Sequence, residues 1–317
     1  MYSIIIPCYK SAATIESVVN ETSIELSKLG KNAFEFILVN DCSPDNGATI
    51  SKLIELADNY HNVKVIDLAK NVGQHNAVMA GLRAASGETI ISMDDDMQTR
   101  PSELHKMFNK YDMGYDVVYG AYPEKKESLF RRFGSWVNKT STVLLLGRPK
   151  DLNTSSFWIM RKYVRDNIIA YDGSRSYLLG LILRTTSNIS SVYVDHFERT
   201  VGTSGYTLRS LLRLWSNIIG FTVKPLRLAM QSGLLISLVS VLFAVWLIIQ
   251  KLFINPAVDA GWSSIMVAIF FSFGIELIFL GMIGEYIGRA YMHINREPQY
   301  VIRAKYNFNN STETDNN

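Results

Sequence analysis

The chain has 317 residues, 48% of them hydrophobic and 19% charged, with a formal net charge of +3. That length exceeds one small domain and suits an α/β domain with an appendage, and a charge so near neutral carries no argument for nucleic acid. Two cysteines, Cys8 and Cys42, give neither a metal-ligand spacing nor a disulfide framework, so a reducing compartment fits.

The N-terminus runs directly into Ser3-Ile4-Ile5-Ile6-Pro7, which reads as a buried strand, and no signal peptide is expected. A helix is predicted over Ser11 to Leu29 and a strand over Glu35 to Asn40, followed by the turn-rich Asp41-Cys42-Ser43-Pro44-Asp45-Asn46-Gly47. Ala48 to Asn59 reads as a helix, Val63 to Asp67 as a strand, Gln74 to Ala85 as a helix and Thr89 to Met93 as a strand. Pro101 opens the next helix, because proline suits the first helical position. Asp116 to Tyr122 is a further strand. Continuous Ile/Val runs, rather than strict alternation, indicate a sheet covered on both faces. The repeated strand-helix alternation predicts a mainly parallel, doubly wound sheet. Ligands of such sheets bind outside the carboxyl ends of the strands, and Pro7, Asp41 and Asp94 all fall there.

The chemistry-bearing motif is Met93-Asp94-Asp95-Asp96-Met97-Gln98, directly after the apolar Thr89-Ile90-Ile91-Ser92. Carboxylates so close repel one another unless a positive charge sits between them. Hard divalent cations take oxygen ligands, so Mg2+ or Mn2+ is the expected answer. Asp94 and Asp96 are expected to alternate along an extended backbone, so both can point the same way. This D-x-D arrangement suits a metal held on a nucleotide-sugar diphosphate; the competing reading is a solvated acidic loop.

The C-terminal third changes character. Leu228 to Gln250 is an uncharged stretch of 23 residues, and a membrane-spanning helix needs about 20. Ala260 to Ile275 continues apolar to Ile283, interrupted by Glu276, which faces the other helix or a neighbouring subunit because charge is costly at membrane depth. Two spanning helices are expected, joined by a turn over Phe253 to Gly261 with Asn255-Pro256 as breaker. Lys224, Arg227, Arg289 and Arg296 flank the outer ends, which places both termini in the cytoplasm. A buried hairpin in a soluble core is the alternative. Residues 207–227 are basic and amphipathic and read as interfacial helices. Lys125 to Lys139, including Arg131 and Arg132, is a similar stretch, suited to anionic headgroups or phosphates or else a solvated helix face. Asn307 to Asn317 is polar and expected to be disordered.

The chain resembles inverting family-2 glycosyltransferases that act on polyprenyl phosphates, over about Tyr2 to Arg303. The landmarks are Ile4-Ile5-Ile6-Pro7-Cys8-Tyr9, Val39-Asn40-Asp41-Cys42-Ser43-Pro44-Asp45, Asn71-Val72-Gly73-Gln74-His75-Asn76-Ala77 and Asp94-Asp95-Asp96-Met97-Gln98. Arg199-Thr200-Val201-Gly202-Thr203-Ser204-Gly205-Tyr206 and Gly284-Glu285-Tyr286-Ile287-Gly288-Arg289 complete the set. The resemblance implies a cytoplasmic GT-A domain over residues 1–206, interfacial helices over 207–227, membrane helices over 228–252 and 260–290, and a cytoplasmic tail over 291–317. It implies transfer from a nucleotide sugar, commonly UDP-linked, to undecaprenyl or another polyprenyl phosphate, in a bacterial inner membrane and as a homo-oligomer, with a tetramer expected.

By match to the family's motifs, Pro7, Tyr9 and Asp41 line the nucleoside pocket. Asp94 and Asp96 sit at the metal and diphosphate with Gln98 as a further ligand, and Arg199 and Ser204 lie near the phosphates. Asp95 either positions the sugar or is the variable middle residue. Arg199 offers a planar fork to phosphate oxygens; a surface ion pair with Glu198 is its plainer reading. His75 is read as a structural residue and His196 as an outside candidate for the site. The sequence departs from the family at Lys10-Ser11, where Asn-Glu is usual, at Tyr122 and Gly205, where many members are basic, and at Trp158, where many have arginine. These positions are expected where donor sugar or phosphates are read. The alternatives are a processive polysaccharide synthase, which usually has more spanning helices and a Q-x-x-R-W motif, and a non-catalytic nucleotide-binding membrane scaffold.

Overall fold

The computed structural model describes residues 1–122, 139–174, 176–195, 197, 222–249 and 261–308. Arg131, His196, Arg199, Ser204 and Gly205 lie outside the described residues. So do the basic stretch from Lys125 to Asn138, the interfacial segment up to Phe221, most of the hairpin turn, and the end of the chain from Asn309.

Eight strands form one sheet in the order β7-β5-β6-β4-β1-β2-β3-β8. They are β1 (Tyr2–Cys8), β2 (Phe34–Asn40), β3 (Val63–Leu68), β4 (Thr89–Ser92), β5 (Val117–Ala121), β6 (Trp158–Arg161), β7 (Ile189–Tyr193) and β8 (Ile302–Tyr306). The β1–β2, β1–β4, β2–β3 and β5–β7 pairs are parallel. The β4–β6, β5–β6 and β3–β8 pairs are antiparallel. The sheet is thus mostly parallel, as the strand-helix alternation predicts.

Both faces are covered. Ile4, Ile6, Phe36 and Leu38 point into one apolar layer, together with Ile15 and Val18 of α1 (Ile15–Lys28), Leu53 and Leu56 of α2 (Ala48–Asn59) and Met107 and Phe108 of α4 (Leu104–Tyr111). Ile5, Ile37 and Val39 point into the other, with Ala77 to Leu82 of α3 (Gln74–Ala84), Val164 of α5 (Lys162–Ile169) and Leu178 to Ile182 of α6 (Leu178–Thr185). Burial of successive side chains on opposite faces is why these strands read as unbroken apolar runs.

Two boundaries differ from expectation for local reasons. The first helix begins at Ile15 rather than Ser11, because the Ser11 carbonyl accepts the Thr14 and Ile15 amides in a turn while its own N–H goes to Thr49 Oγ1. At Pro101 the chain makes a 3-10 turn, Pro101–Glu103, before α4.

The larger difference is at the C-terminus. Residues 302–306, expected only as part of a tail, add β8 to the edge of the catalytic sheet. Disorder does not begin at Asn307 either: its side-chain amide reaches the carbonyls of Ala57, Tyr60, His61 and Val63, the last at 2.7 Å.

Between sheet and tail come two long helices, α7 (Lys224–Ile249) and α8 (Trp262–Ile294). Among the described residues, Phe271–Ile294 is long and apolar enough to cross a bilayer. Large apolar side chains point outward on both helices, Leu234 being 75% and Ile278 65% exposed, a surface that water does not favour. Glu276 is exposed as well. Tyr286 Oη donates to the Thr222 carbonyl at 2.6 Å, and Lys224 Nζ to that of Leu144 at 2.8 Å. The hairpin is thereby fastened to its own base and to the α/β domain.

Candidate active site

The carboxyl ends of β1, β2 and β4 open into a cleft of about 710 Å³. Pro7, Tyr9, Asp41, Asp94, Asp95, Asp96 and Gln98, all singled out in the sequence, line it together. They converge because parallel neighbouring strands end on the same side of the sheet.

Asp41 follows β2 directly. Its two carboxylate oxygens accept the backbone N–H groups of Val72 (2.7 Å) and Gly73 (2.9 Å), and Asn71 Nδ2 donates to its carbonyl at 3.1 Å. Gly73 has φ of +84°, a backbone that suits glycine alone at low cost, and this lets two consecutive amides face one carboxylate. Burial raises the Asp41 carboxyl, and those two N–H groups oppose it.

The three carboxylates after β4 do different things. Asp94 accepts from Gln74 Nε2 at Oδ1 (2.8 Å) and from Ser156 Oγ at Oδ2. Burial pushes its carboxyl up to about 6; the charges of Asp96 and Asp95 add to this while Ser156 and Gln74 counter it. Asp95 accepts the Tyr9 backbone N–H at 3.0 Å, tying the end of β1 to the end of β4. Asp96 accepts the Gln98 N–H at 3.1 Å, across Met97 at a positive φ of 59°. Gln98 Nε2 also donates to the Phe197 carbonyl.

Among the described residues no cluster of three or more His, Cys, Asp or Glu side chains forms a closed metal site. Asp94, raised chiefly by burial and further by the charges of Asp96 and Asp95, is met by two neutral donors, so a divalent cation held by Asp94 and Asp96 would offset both the burial and the repulsion.

Several lining residues were missed or misplaced by sequence reasoning. Gln74 and Ser156 hold Asp94; Gln74 stands within the quoted segment Asn71 to Ala77, while Ser156 was not singled out. Lys10 lines the cleft, its backbone at φ of +59° and its N–H on Ser43 Oγ at 3.1 Å. Ser11 is 3% exposed, and its side chain lies against Asp95 and Cys8, where it counters the burial that raises both groups. Trp158, expected where the donor is read, is instead 2% exposed in the core beside α3 and α6; as the first residue of β6 it faces a helix layer. Tyr122 accepts a bond from Thr99 Oγ1 at 2.8 Å. His75 packs edge-on against Tyr177, ring centroids 5.4 Å apart, the structural part the sequence suggested. Burial raises the Cys8 thiol well above its usual value, so it lacks the thiolate a nucleophile needs.

Residues 3–169 match glycosyl transferase family 2, and residues 224–290 match the GtrB C-terminal hairpin. The chain is 32% identical over 320 residues to the uncharacterized glycosyltransferase YkcC of Bacillus subtilis (strain 168), covering 98% of this chain and 95% of that protein. It is 30% identical over 307 residues to the undecaprenyl-phosphate 4-deoxy-4-formamido-L-arabinose transferase of Yersinia pestis (strain Pestoides F), covering 95% and 92%. Among solved structures, glucosyl-3-phosphoglycerate synthase from Mycobacterium tuberculosis, in complex with Mn2+, UDP and phosphoglyceric acid, shares the fold. Its TM-score is 0.52 at 18% identity, covering 71% of this chain and 78% of that one. The chain therefore belongs to glycosyl transferase family 2, as a glycosyltransferase with a GT-A-like α/β domain and a GtrB-type C-terminal hairpin.

Proposed function

We propose that this protein is a membrane-anchored inverting glycosyltransferase that moves glucose or a related hexose from a nucleotide sugar, UDP-linked, to undecaprenyl or another polyprenyl phosphate. The observation that carries the reading is one cleft lined by Asp41 and by Asp94, Asp95 and Asp96, in a chain whose C-terminal helices present apolar side chains outward. The relative that acts on undecaprenyl phosphate, matched over 95% of this chain, supports the acceptor class.

Pro7, Tyr9 and Asp41 hold the nucleoside in this reading. Asp94, Asp96 and Gln98 would hold a divalent cation, Mn2+ or Mg2+, which when bound would supply Lewis-acid stabilisation of the departing diphosphate. The exposed Tyr9 ring offers an apolar face beside Asp41, whose carboxylate is already oriented by two amides. Gln74 and Ser156 aim the Asp94 carboxylate, and their hydrogen bonds favour its ionised form against the burial that raises it. The acceptor oxygen belongs to a phosphate monoester, already anionic near neutral pH because its second pKa is about 6. No strong general base is then required, and the main demand is in-line positioning. Arg199, Ser204 and Arg131 are assigned to phosphate contacts by motif and charge alone.

Two spanning helices, with both termini and the catalytic domain in the cytoplasm of a bacterial inner membrane, would hold the cleft at headgroup depth. The assembly is proposed to be a homo-oligomer, with a tetramer as the working state. The test is a donor screen on purified, detergent-solubilised protein with undecaprenyl phosphate and Mn2+ or Mg2+, counting label that enters the organic phase. Chelator-sensitive transfer from one UDP- or GDP-sugar supports the proposal. Intact nucleotide binding with no transfer from any donor moves the weight to the scaffold reading.

A further inference from the structure

Asp41 is held by two loops, and both are fastened to the segment that follows the membrane hairpin. The first is 41–43. Asn40 Nδ2 donates to Asp67 Oδ1 at 2.7 Å, and Asn40 Oδ1 accepts the Ser43 Oγ and N–H at 2.7 and 3.2 Å. Ser43 Oγ in turn accepts the Lys10 N–H at the mouth of the cleft. The second loop, 69–73, carries the amides that bind the Asp41 carboxylate.

Arg303, on β8, reaches both. Its Nη1 donates to Asp67 Oδ2 at 3.2 Å, and its Nη2 donates to the Ala69 carbonyl at 3.1 Å and lies 3.8 Å from Cys42 Sγ. The Ala69 N–H closes the arrangement on the Val301 carbonyl at 2.8 Å. Asp67 is only 3% exposed, so its carboxylate depends on those two donors. A planar guanidinium donates from two nitrogens in a fixed fork, so it spans the acceptors of Asp67 and Ala69 at once, whereas an ammonium donates from one point.

The same segment is joined tightly to the hairpin. After α8 the chain turns at Arg296, with φ of +52°, the Arg296 N–H on the His293 carbonyl and the Glu297 N–H on that of Met292. This is the Schellman pattern that ends a helix with a fixed change of direction. Gln299, 5% exposed, is then clamped, its Nε2 on the carbonyls of Tyr171 (3.1 Å) and Gly173 (2.7 Å) and its own carbonyl accepting from Asn76 Nδ2 (3.2 Å).

We propose that Arg303 is a positioning residue for the nucleotide site: from beyond the membrane hairpin it fixes the two loops that orient Asp41, so donor binding depends on the post-hairpin strand. This rests on the reading of the Asp41 cleft as a nucleotide site. The test uses the full-length protein in detergent, with UDP and MnCl2 as the calorimetric probe. Arg303→Ala is expected to raise the UDP dissociation constant about tenfold, equivalent to about 1.4 kcal/mol. The KM for the donor should rise in parallel while kcat stays within about twofold, a split that general loosening of the fold does not give. Arg303→Lys should fall between wild type and alanine. Lys305→Ala, two positions along on the same strand, should bind as wild type. Strand β8 is expected to persist in these variants, because Arg303 and Lys305 are exposed while Ile302, Ala304 and Tyr306 are the less exposed residues. Unchanged UDP affinity in Arg303→Ala overturns the proposal. A wild-type chain that binds neither UDP nor GDP overturns the nucleotide reading itself, an outcome visible before any variant is made.

Discussion

Gln74 donates its side-chain N–H to Asp94 Oδ1 over 2.8 Å, joining the first residue of helix α3 to the carboxylate that follows strand β4. The residue before it, Gly73, gives its backbone N–H to Asp41. One turn of chain thus sets the orientation of both the proposed nucleoside-binding and the proposed metal-binding carboxylates.

Loss of Asp94 should therefore abolish turnover. Asp94→Ala is expected to lower label transfer to undecaprenyl phosphate by at least about 10²–10³-fold, the scale of losing electrostatic stabilisation at the leaving group. Thermal unfolding should be unchanged or slightly raised, because a repelled, partly buried carboxylate has been removed. Residual activity within tenfold of wild type would argue against Asp94 as a ligand.

Removing a partner of Asp94 should be milder and should show in metal dependence. Gln74→Ala or Ser156→Ala frees one carboxylate oxygen, and loss of such a supporting bond typically costs about 10–100-fold in metal affinity or activity. The check is the Mn2+ concentration giving half-maximal transfer, which should rise. An unaltered metal curve would make these bonds incidental.

The pH dependence of stability has a component from His75. Burial holds this ring neutral and pushes its pKa down from 6.5 to about 4. The unfolded chain binds the proton more readily, so the contribution is complete above about pH 6.5 and is lost as pH falls through about 4. Asp94 runs the other way: raised from 3.8 to about 6, it weakens the fold as pH rises across that interval. Comparing wild type with His75→Gln isolates the histidine, and the variant should lose less stability between pH 7 and pH 4.5 in denaturant titrations. Parallel curves would mean that the ring already titrates normally.

Replacing residues 224–294 with a flexible Gly/Ser linker should retain UDP binding while ending transfer to long-chain lipid phosphate, because β8 can still dock. Simple truncation before Lys224 should impair both, since it also strips β8 from β3 and Gln299 from Tyr171 and Gly173. Turnover on full-length carrier by the linker variant would refute an anchoring role for the hairpin.

Gly81 packs α3 onto β1 so closely that an added Cβ would lie 2.4 Å from Ile5 Cγ2. Gly81→Ala should destabilise the domain by about 1–3 kcal/mol through overpacking, read as a lower urea midpoint. A neutral effect would show that Ile5 can rotate away.

Much of this was legible in the chain itself. Apolar runs such as Ile4-Ile5-Ile6 can be unbroken only if both faces of a strand are buried, which fixes a covered sheet and therefore a site at its carboxyl edge. Asp94 and Asp96 stood out because carboxylates so close repel unless a cation lies between them, and both do line the cleft. The apolar C-terminal third folds as two long helices, with the bilayer-length apolar window falling at Phe271–Ile294 among the described residues. What tertiary structure alone decided is which distant residues meet. Ser156 reaches Asp94 from 62 positions away, and Arg303 reaches Asp67 from 236 away. Trp158, which motif position put at the donor, lies in the core instead. The reason is physical: local pattern encodes which face a side chain takes, because that follows from backbone period. Pairing between remote segments depends on where the sheet edge offers unpaired hydrogen-bonding groups. The five residues of β8 are too short and too mixed in polarity to announce that they complete the β3 edge.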